Sequence, residues 1–323
     1  MAGDQVRWGI LGCGDVTEVK SGPAYQAVDG FSLVAVMRRD AAKAADYARR
    51  HGVPTWYDNA DALISDPSVD AVYIATPPAS HAALAARVAA AGKPCCVEKP
   101  MANSLAECEA MQRAFNDAGV PLFVAYYRRS LPRFEQVAQW LATGRIGAVR
   151  HVSWRLCKPP SEADLRRELQ WRTDPAVSPG GYFDDLGSHG LDILDHLLGP
   201  LVEVTGLASN QQGLYATPDA VVAHWRHASG ATGAGTWQFG ADRAEDTVTV
   251  MGSRGRIRFS VFAPFDVVLE CDGTTERHTL VDPPTVQQPH VENLRRALLD
   301  GVPHPSTGAS ALRTARAMAA ILG

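Results

Sequence analysis

The sequence predicts a two-part chain: an α/β N-terminal domain with a Rossmann-type, doubly wound parallel sheet, then an α+β C-terminal domain on a large, mostly antiparallel open sheet. Three observations carry this reading. The first 126 residues alternate short β-like runs with helical ones, the rhythm of consecutive βαβ units. After Arg145 the runs become β-branched or alternating, with Gly and Asp turns between them. At 323 residues the chain is longer than one hydrophobic core usually organises.

The elements follow in order. VRWGIL, FSLVAVM, DAVYIAT, PCCVEK and PLFVAY read as strands. Between them AAKAADYARRHG, HAALAARVAAAG and SLAECEAMQRAFNDAG read as helices, each closed by the glycine that a helix C-terminus favours. Cys95 and Cys96 are expected to fill an inner strand. In the second part VRHVSWRLC, ATGAGTWQF, DTVTVMG, GRIRFSVF and DVVLEC read as strands, and helices are expected over GGYFDDLGSHGLDILDHLLG and near His290 to Leu299 and Ser310 to Leu322. The boundary falls near residues 126 to 131, dividing the chain into 1–128 and 129–323, with the last helix free to pack back on the first domain.

Composition narrows the function. Apolar residues make up 46% and charged residues 20%, a globular balance, and a net charge of −4 lacks the basic excess that a nucleic-acid surface needs. No cationic leader precedes Val6 and no charge-free apolar stretch is long enough to span a bilayer, so a cytoplasmic protein without membrane partners is expected. Six cysteines without CxxC spacing point to reduced thiols, not to disulfides or a zinc site. Small polar molecules are the expected partners.

Gly12 and Gly14, in WGILGCGDVTEVK, follow a strand and precede a helix, the setting of a dinucleotide fingerprint. The first glycine permits the tight turn, and the second lets a pyrophosphate approach backbone at a helix start that includes Asp15 and Val16. Thr17 occupies the third position, where a small residue would pack helix on strand. About twenty residues on, where an acid would read a ribose, stand Arg38 and Arg39; an arginine fork suits a 2′-phosphate, so NADP(H) is favoured with NAD(H) as the alternative. Both arginines have a second reading as solvated residues at a helix start, and Asp40 remains a candidate ribose partner.

Thr76, Pro77 and His81 in TPPASH, and Glu98 and Lys99 in VEKPMA, stand at the carboxyl ends of predicted strands, the edge where open parallel sheets bind ligands. Asp185, His189, Asp192 and His196 are spaced by four, three and four residues, which stacks them on one helix face. That face reads as a proton relay, a metal site or a solvated surface. Trp171 and Arg172 in WRTDP, with Tyr127, Arg128, Arg129 and Tyr182, are hydrogen-bonding candidates for a polyhydroxylated ligand; Trp171 reads equally as core.

GILGCG, ATPPASH, the EKP of Glu98 to Pro100 and GGYFDDLGSHGLDIL together resemble the Gfo/Idh/MocA oxidoreductase family over nearly the whole chain. The resemblance implies a dinucleotide-binding first domain, a substrate-binding second domain whose open sheet often dimerises, and hydride transfer at a carbonyl or alcohol of a sugar, polyol or related compound. Matched position by position, it implies Lys99, Asp185 and His189 as catalytic residues. It also implies Gly12, Gly14, Arg38, Thr76, Pro77, His81 and Glu98 at the cofactor, and AYYRRSLPRF along the substrate cleft. Tyr127 departs from the asparagine common before that arginine, which bears on substrate choice. Lys99 and His189 are the two candidate proton donors, and no metal is implied. Two other readings stand beside this one: an aldose or trans-dihydrodiol dehydrogenase using NADP, and a non-catalytic dinucleotide-sensing protein.

Overall fold

The computed structural model describes residues 5–323. In chain order the elements are β1 (Val6–Leu11), α1 (Asp15–Val19), α2 (Gly22–Ala27), β2 (Phe31–Met37), α3 (Ala41–His51), β3 (Thr55–Tyr57), α4 (Ala60–Ser65), β4 (Ala71–Ile74), α5 (His81–Ala90), β5 (Cys95–Val97), α6 (Leu105–Ala118) and β6 (Leu122–Val124). There follow α7 (Pro132–Ala142), β7 (Val149–Cys157), α8 (Glu162–Leu165), α9 (Tyr182–Leu198), β8 (Leu201–Ser209), β9 (Ala220–His227), β10 (Thr232–Gln238), β11 (Glu245–Gly252), β12 (Gly255–Phe259), β13 (Asp266–Cys271), β14 (Thr274–Thr279), α10 (Gln288–Leu299) and α11 (Gly308–Leu322).

The chain divides into two compact units. One holds the described residues up to Ser130 together with Pro283–Leu312; the other holds Leu131–Asp282 and Arg313–Gly323. The first unit is therefore completed by a late segment of the chain. Its six strands are all parallel in the order β3-β2-β1-β4-β5-β6, the doubly wound arrangement whose strand order reverses beside β1. Strands β1, β4 and β5 are almost wholly buried, as parallel strands covered on both faces must be, and Cys95 and Cys96 lie inside β5. Trp8, Tyr25, Phe31 and Tyr73 form an aromatic cluster in this core, and Val291 and Leu294 of α10 pack into the same cluster of buried side chains.

Helix ends are set as the sequence requires. Asp40 caps α3 by accepting from the Lys43 N–H at 3.1 Å, and Gly52 ends that helix at φ +65°. Ser104 and Glu107 form a reciprocal capping box on α6.

The second unit holds an eight-stranded sheet in the order β14-β13-β12-β11-β7-β10-β9-β8, antiparallel except where β10 runs parallel to β7. Burial alternates along its central strands, at Val152, Trp154 and Leu156 on β7 and at positions 233, 235 and 237 of β10, where Trp237 is the large side chain. Helix α9 seats closely on this layer because Gly190 has no side chain: a Cβ there would come within 2.2 Å of the Trp154 ring. Strands β3, β8, β9 and β14 are elements for which the sequence carried no expectation.

Candidate active site

In the first unit the site grows from the turn after β1. Gly12 takes φ +90°, and a Cβ on it would lie 2.6 Å from Thr76 Cγ2 and 2.9 Å from the Thr76 amide nitrogen, so only glycine lets the β1 and β4 loops close on each other. Gly14 is different. A Cβ there would find nothing nearer than 3.9 Å, which leaves an open cradle on that side of the turn. The Thr17 hydroxyl accepts from the Gly14 N–H at 2.9 Å and donates to the Gly14 carbonyl at 2.8 Å. Thr17 thus serves as a buried internal brace where a small residue was expected. Asp15 is exposed and Val16 half-buried in the first turn of α1.

Arg38 leaves the end of β2 and donates from Nη1 to the Cys13 carbonyl at 3.2 Å, which sets its guanidinium against the glycine turn. Arg39 is exposed. Asp40, the other candidate reader of a ribose, spends its carboxylate on capping α3.

The loops after β4 and β5 are tied together from behind. His81 is wholly buried and sets Nε2 2.8 Å from the Thr76 carbonyl oxygen and Nδ1 3.0 Å from that of Pro100. Burial pushes its pKa down, although both carbonyls favour the protonated ring. His81 therefore acts as a brace between the TPP and EKP turns. Thr76 accepts a hydrogen bond from Ser80 Oγ at 2.7 Å, and Pro77 is exposed at the rim. Glu98 is buried, its Oε1 accepting from the Tyr73 hydroxyl at 2.6 Å and from Gln287 Nε2 at 2.8 Å. Lys99 follows, half-buried, with its N–H on Glu98 Oε2 at 3.2 Å and a cis peptide bond to Pro100.

Tyr127 to Ser130 form a single 3₁₀ turn, in which the Arg128 guanidinium stacks over the Tyr127 ring at 5.0 Å and donates to its hydroxyl at 3.1 Å. Arg128 and Arg129 are both buried, so neither is a surface charge; Arg129 donates to the Pro305 carbonyl at 2.9 Å.

In the second unit the site is α9. Asp185, His189 and Asp192 share one face and all are buried, which removes the solvated-surface reading of that motif. Asp192 Oδ1 accepts from the Thr314 hydroxyl at 3.2 Å, and Asp195 holds Arg313 through both its oxygens, so the later turns of the helix fasten it to α11. His196 is half-buried. Among the described residues no group of three or more His, Cys, Asp or Glu side chains is placed to hold a metal ion.

Asp185 is 6% exposed and accepts from Arg172 Nε at 2.7 Å. Arg172 in turn stacks on Trp171 at 4.2 Å. Trp171 is 45% exposed, so it is not core. Tyr182 opens α9 and donates its hydroxyl to Asp164, 3.0 Å from either oxygen. The Phe262 ring stands nearly perpendicular to that of His189, centroids 5.9 Å apart. Phe262 and Leu186 also wall a cavity of about 510 Å³ completed by Leu156, Lys158, Ala263 and Pro264.

Tyr73, Gln287 and Phe262 are the side chains at these sites that sequence reasoning did not single out. Each stands in a stretch with no motif, and only long-range pairing brings it to the site.

Comparison with known proteins decides the relationship. Residues 6–126 match the model described as "Oxidoreductase family, NAD-binding Rossmann fold", and residues 134–258 match the GFO/IDH/MocA C-terminal domain. Oxidoreductase P35 of Formosa agariphila is 38% identical over 290 residues, 89% of each chain. The chain belongs to the GFO/IDH/MocA oxidoreductase family. A scyllo-inositol 2-dehydrogenase (NAD(+)) of Bacillus subtilis is 29% identical over 78% of this chain and 73% of its own length. A levoglucosan dehydrogenase, solved with NADH and levoglucosan, superposes with a TM-score of 0.85 at 21% identity over 98% of this chain and 95% of that one, a likeness of fold. Like its family, the protein is an NAD-binding oxidoreductase, and the open cradle at Gly14 fits a dinucleotide at the turn after β1.

Proposed function

We propose that the protein transfers a hydride between a nicotinamide cofactor, NADP(H) in preference to NAD(H), and a carbonyl or alcohol of a sugar, polyol or related small molecule. The observation that carries this reading is Lys99, a half-buried amine at the carboxyl edge of the NAD-binding sheet, on a turn braced by His81 and Glu98. Gly12, Gly14, Asp15, Val16, Thr76 and Pro77 would border the cofactor, with Arg38 and Arg39 toward its adenosine end.

The bound nicotinamide supplies or accepts the hydride. In reduction Lys99 gives a proton to the carbonyl oxygen as negative charge grows there, and in oxidation it takes one from the alcohol. His189 shares this duty. Asp185, ion-paired with Arg172, orients the imidazole. Tyr127, Arg128, Trp171, Arg172 and Tyr182 supply the donors and ring faces that hold a polyhydroxylated substrate.

Preference for NADP(H) rests on the Arg38 guanidinium beside the glycine turn and on the commitment of Asp40 to its helix cap. A screen of sugars and polyols, followed by absorbance of the reduced cofactor with NADPH and NADH in parallel, tests both parts. Turnover with members of the panel and tighter binding of NADPH, relaxed toward NADH in Arg38→Ala, are expected. No turnover across the panel would favour a dinucleotide-sensing protein, and tighter NADH binding would reverse the cofactor assignment.

The cavity whose apolar side is formed by Leu156, Leu186, Phe262 and Pro264, facing the polar Glu245, Asp246 and Thr247, favours a second reading, a dehydrogenase of trans-dihydrodiols, whose hydrocarbon ring would lie against that side. A second copy of the chain is the proposed macromolecular partner, since Leu207, Val222 and Met251 lie exposed on strands of the open sheet.

A further inference from the structure

Glu98 is held from inside by two residues that no motif marks. Tyr73 lies on β4 opposite Cys96 of β5, which puts its hydroxyl within 2.6 Å of Glu98 Oε1 just past the end of β5. Gln287 arrives from the far end of the chain, immediately before α10, and donates from Nε2 to the same oxygen at 2.8 Å. Oε1 thus takes both donors. Among the described residues Oε2 accepts only the Lys99 backbone N–H, at 3.2 Å, and a carboxylate oxygen can accept a second hydrogen bond.

The cost of this arrangement is visible. Gln287 is 2% exposed, yet its own Oε1 is buried with no hydrogen-bond partner among the described residues. A buried orphan acceptor is unfavourable, and an apolar side chain of the same length would avoid it. Stability alone does not explain a glutamine here; the N–H it offers to Glu98 does. We infer that Gln287 and Tyr73 are positioning residues for cofactor binding, fixing the Glu98 carboxylate so that Oε2 is presented on the Lys99 side of the turn to a hydroxyl donor of the nicotinamide nucleotide. The inference rests on the reading that Glu98 belongs to the cofactor site.

The test is a double-mutant cycle read by fluorescence titration with NADPH and with NADH, which needs no substrate. Gln287→Met and Tyr73→Phe each remove one donor, and each is combined with Glu98→Ala. Glu98→Ala is expected to weaken binding, and either donor variant alone to weaken it about tenfold, as for a lost hydrogen bond to a charged group. In the Glu98→Ala background neither is expected to change binding by more than about twofold. If Gln287→Met does not fold, Tyr73→Phe carries the same cycle. Weakening by equal factors in both backgrounds would mark a structural role and overturn the inference, as would donor variants that bind like wild type while Glu98→Ala binds poorly. Wild-type binding by Glu98→Ala would remove the assignment of Glu98 to the cofactor site, and the inference with it.

Discussion

Arg172 and Asp185 show how far single residues could be read. Both were legible as residue types, one in WRTDP and one at the head of the α9 motif, but their pairing depends on a loop closing back over the helix. The Asp185 carboxylate is almost fully buried, so losing the Arg172 hydrogen bond removes a charge-assisted contact where water cannot replace it. Arg172→Ala is therefore expected to destabilise the protein by about 1–2 kcal/mol, reduced from the cost of a fully buried pair because Arg172 itself is 36% exposed, and to slow turnover as well. Thermal melts and initial rates check this; an unchanged melt and rate would show that the pair does nothing for His189. Gly12, Lys99 and His189 were legible for a simpler reason, because each follows a strand or lies on a helix whose register is fixed by local apolar spacing. Gln287 and Tyr73 were not, since their meeting with Glu98 needs strand register and a segment 189 residues away. His81 was legible as a site residue but not as a buried brace, because sequence gives no sign of which way a ring at a helix start will turn.

At the scale of elements, most strands with an apolar face or core were visible, though β9, whose Val221, Ala223 and Trp225 are buried, was not. VRWGIL, FSLVAVM, VRHVSWRLC and DVVLEC match β1, β2, β7 and β13 residue for residue. β14, TTERHT, is a polar edge strand with no apolar signal, and β8 at the other edge, LVEVTGLAS, has no buried residue, so its apolar side chains do not mark an inner face. The helix α10 was visible from its apolar spacing, yet its chemistry lies in what it buries. His290 on α10 and His304 after it are packed edge to face at 4.7 Å. His304 Nδ1 lies 2.9 Å from both the N–H and the carbonyl oxygen of Ser306, and Nε2 lies 3.2 Å from the His290 carbonyl oxygen. Burial pushes His304 down to about 4 and His290 further below the usual range. A histidine depressed in the folded state adds stability that is full above its unfolded pKa, about 6.5, and is lost as pH falls toward the folded value. At about pH 5 the loss from His304 alone is roughly 2 kcal/mol. Chemical unfolding at neutral pH and at about pH 5 should show this decline, and His304→Gln should reduce it, leaving the part that His290 contributes; a pH-independent midpoint would contradict the burial of these rings.

For the whole molecule, the alternation of strands and helices gave the doubly wound sheet, and the change of texture after Arg145 gave the second, mostly antiparallel one. The sequence left it open whether the last helix packs back on the first domain, and it could not place residues 283–312, because the apolar stripe of Val291 and Leu294 would satisfy any sheet or helix face that it met. The functional reading has the same structure: the NAD-binding fold follows from the pattern of the chain, and the chemistry from a few side chains placed by it. The most direct test is turnover of Lys99→Ala on a substrate found by the polyol and sugar screen, with cofactor affinity measured beside it. A fall of at least about a hundredfold with unchanged NADPH binding is predicted. A retained rate, or a parallel loss of rate and binding, would contradict the assignment of Lys99 as the acid and base of the reaction.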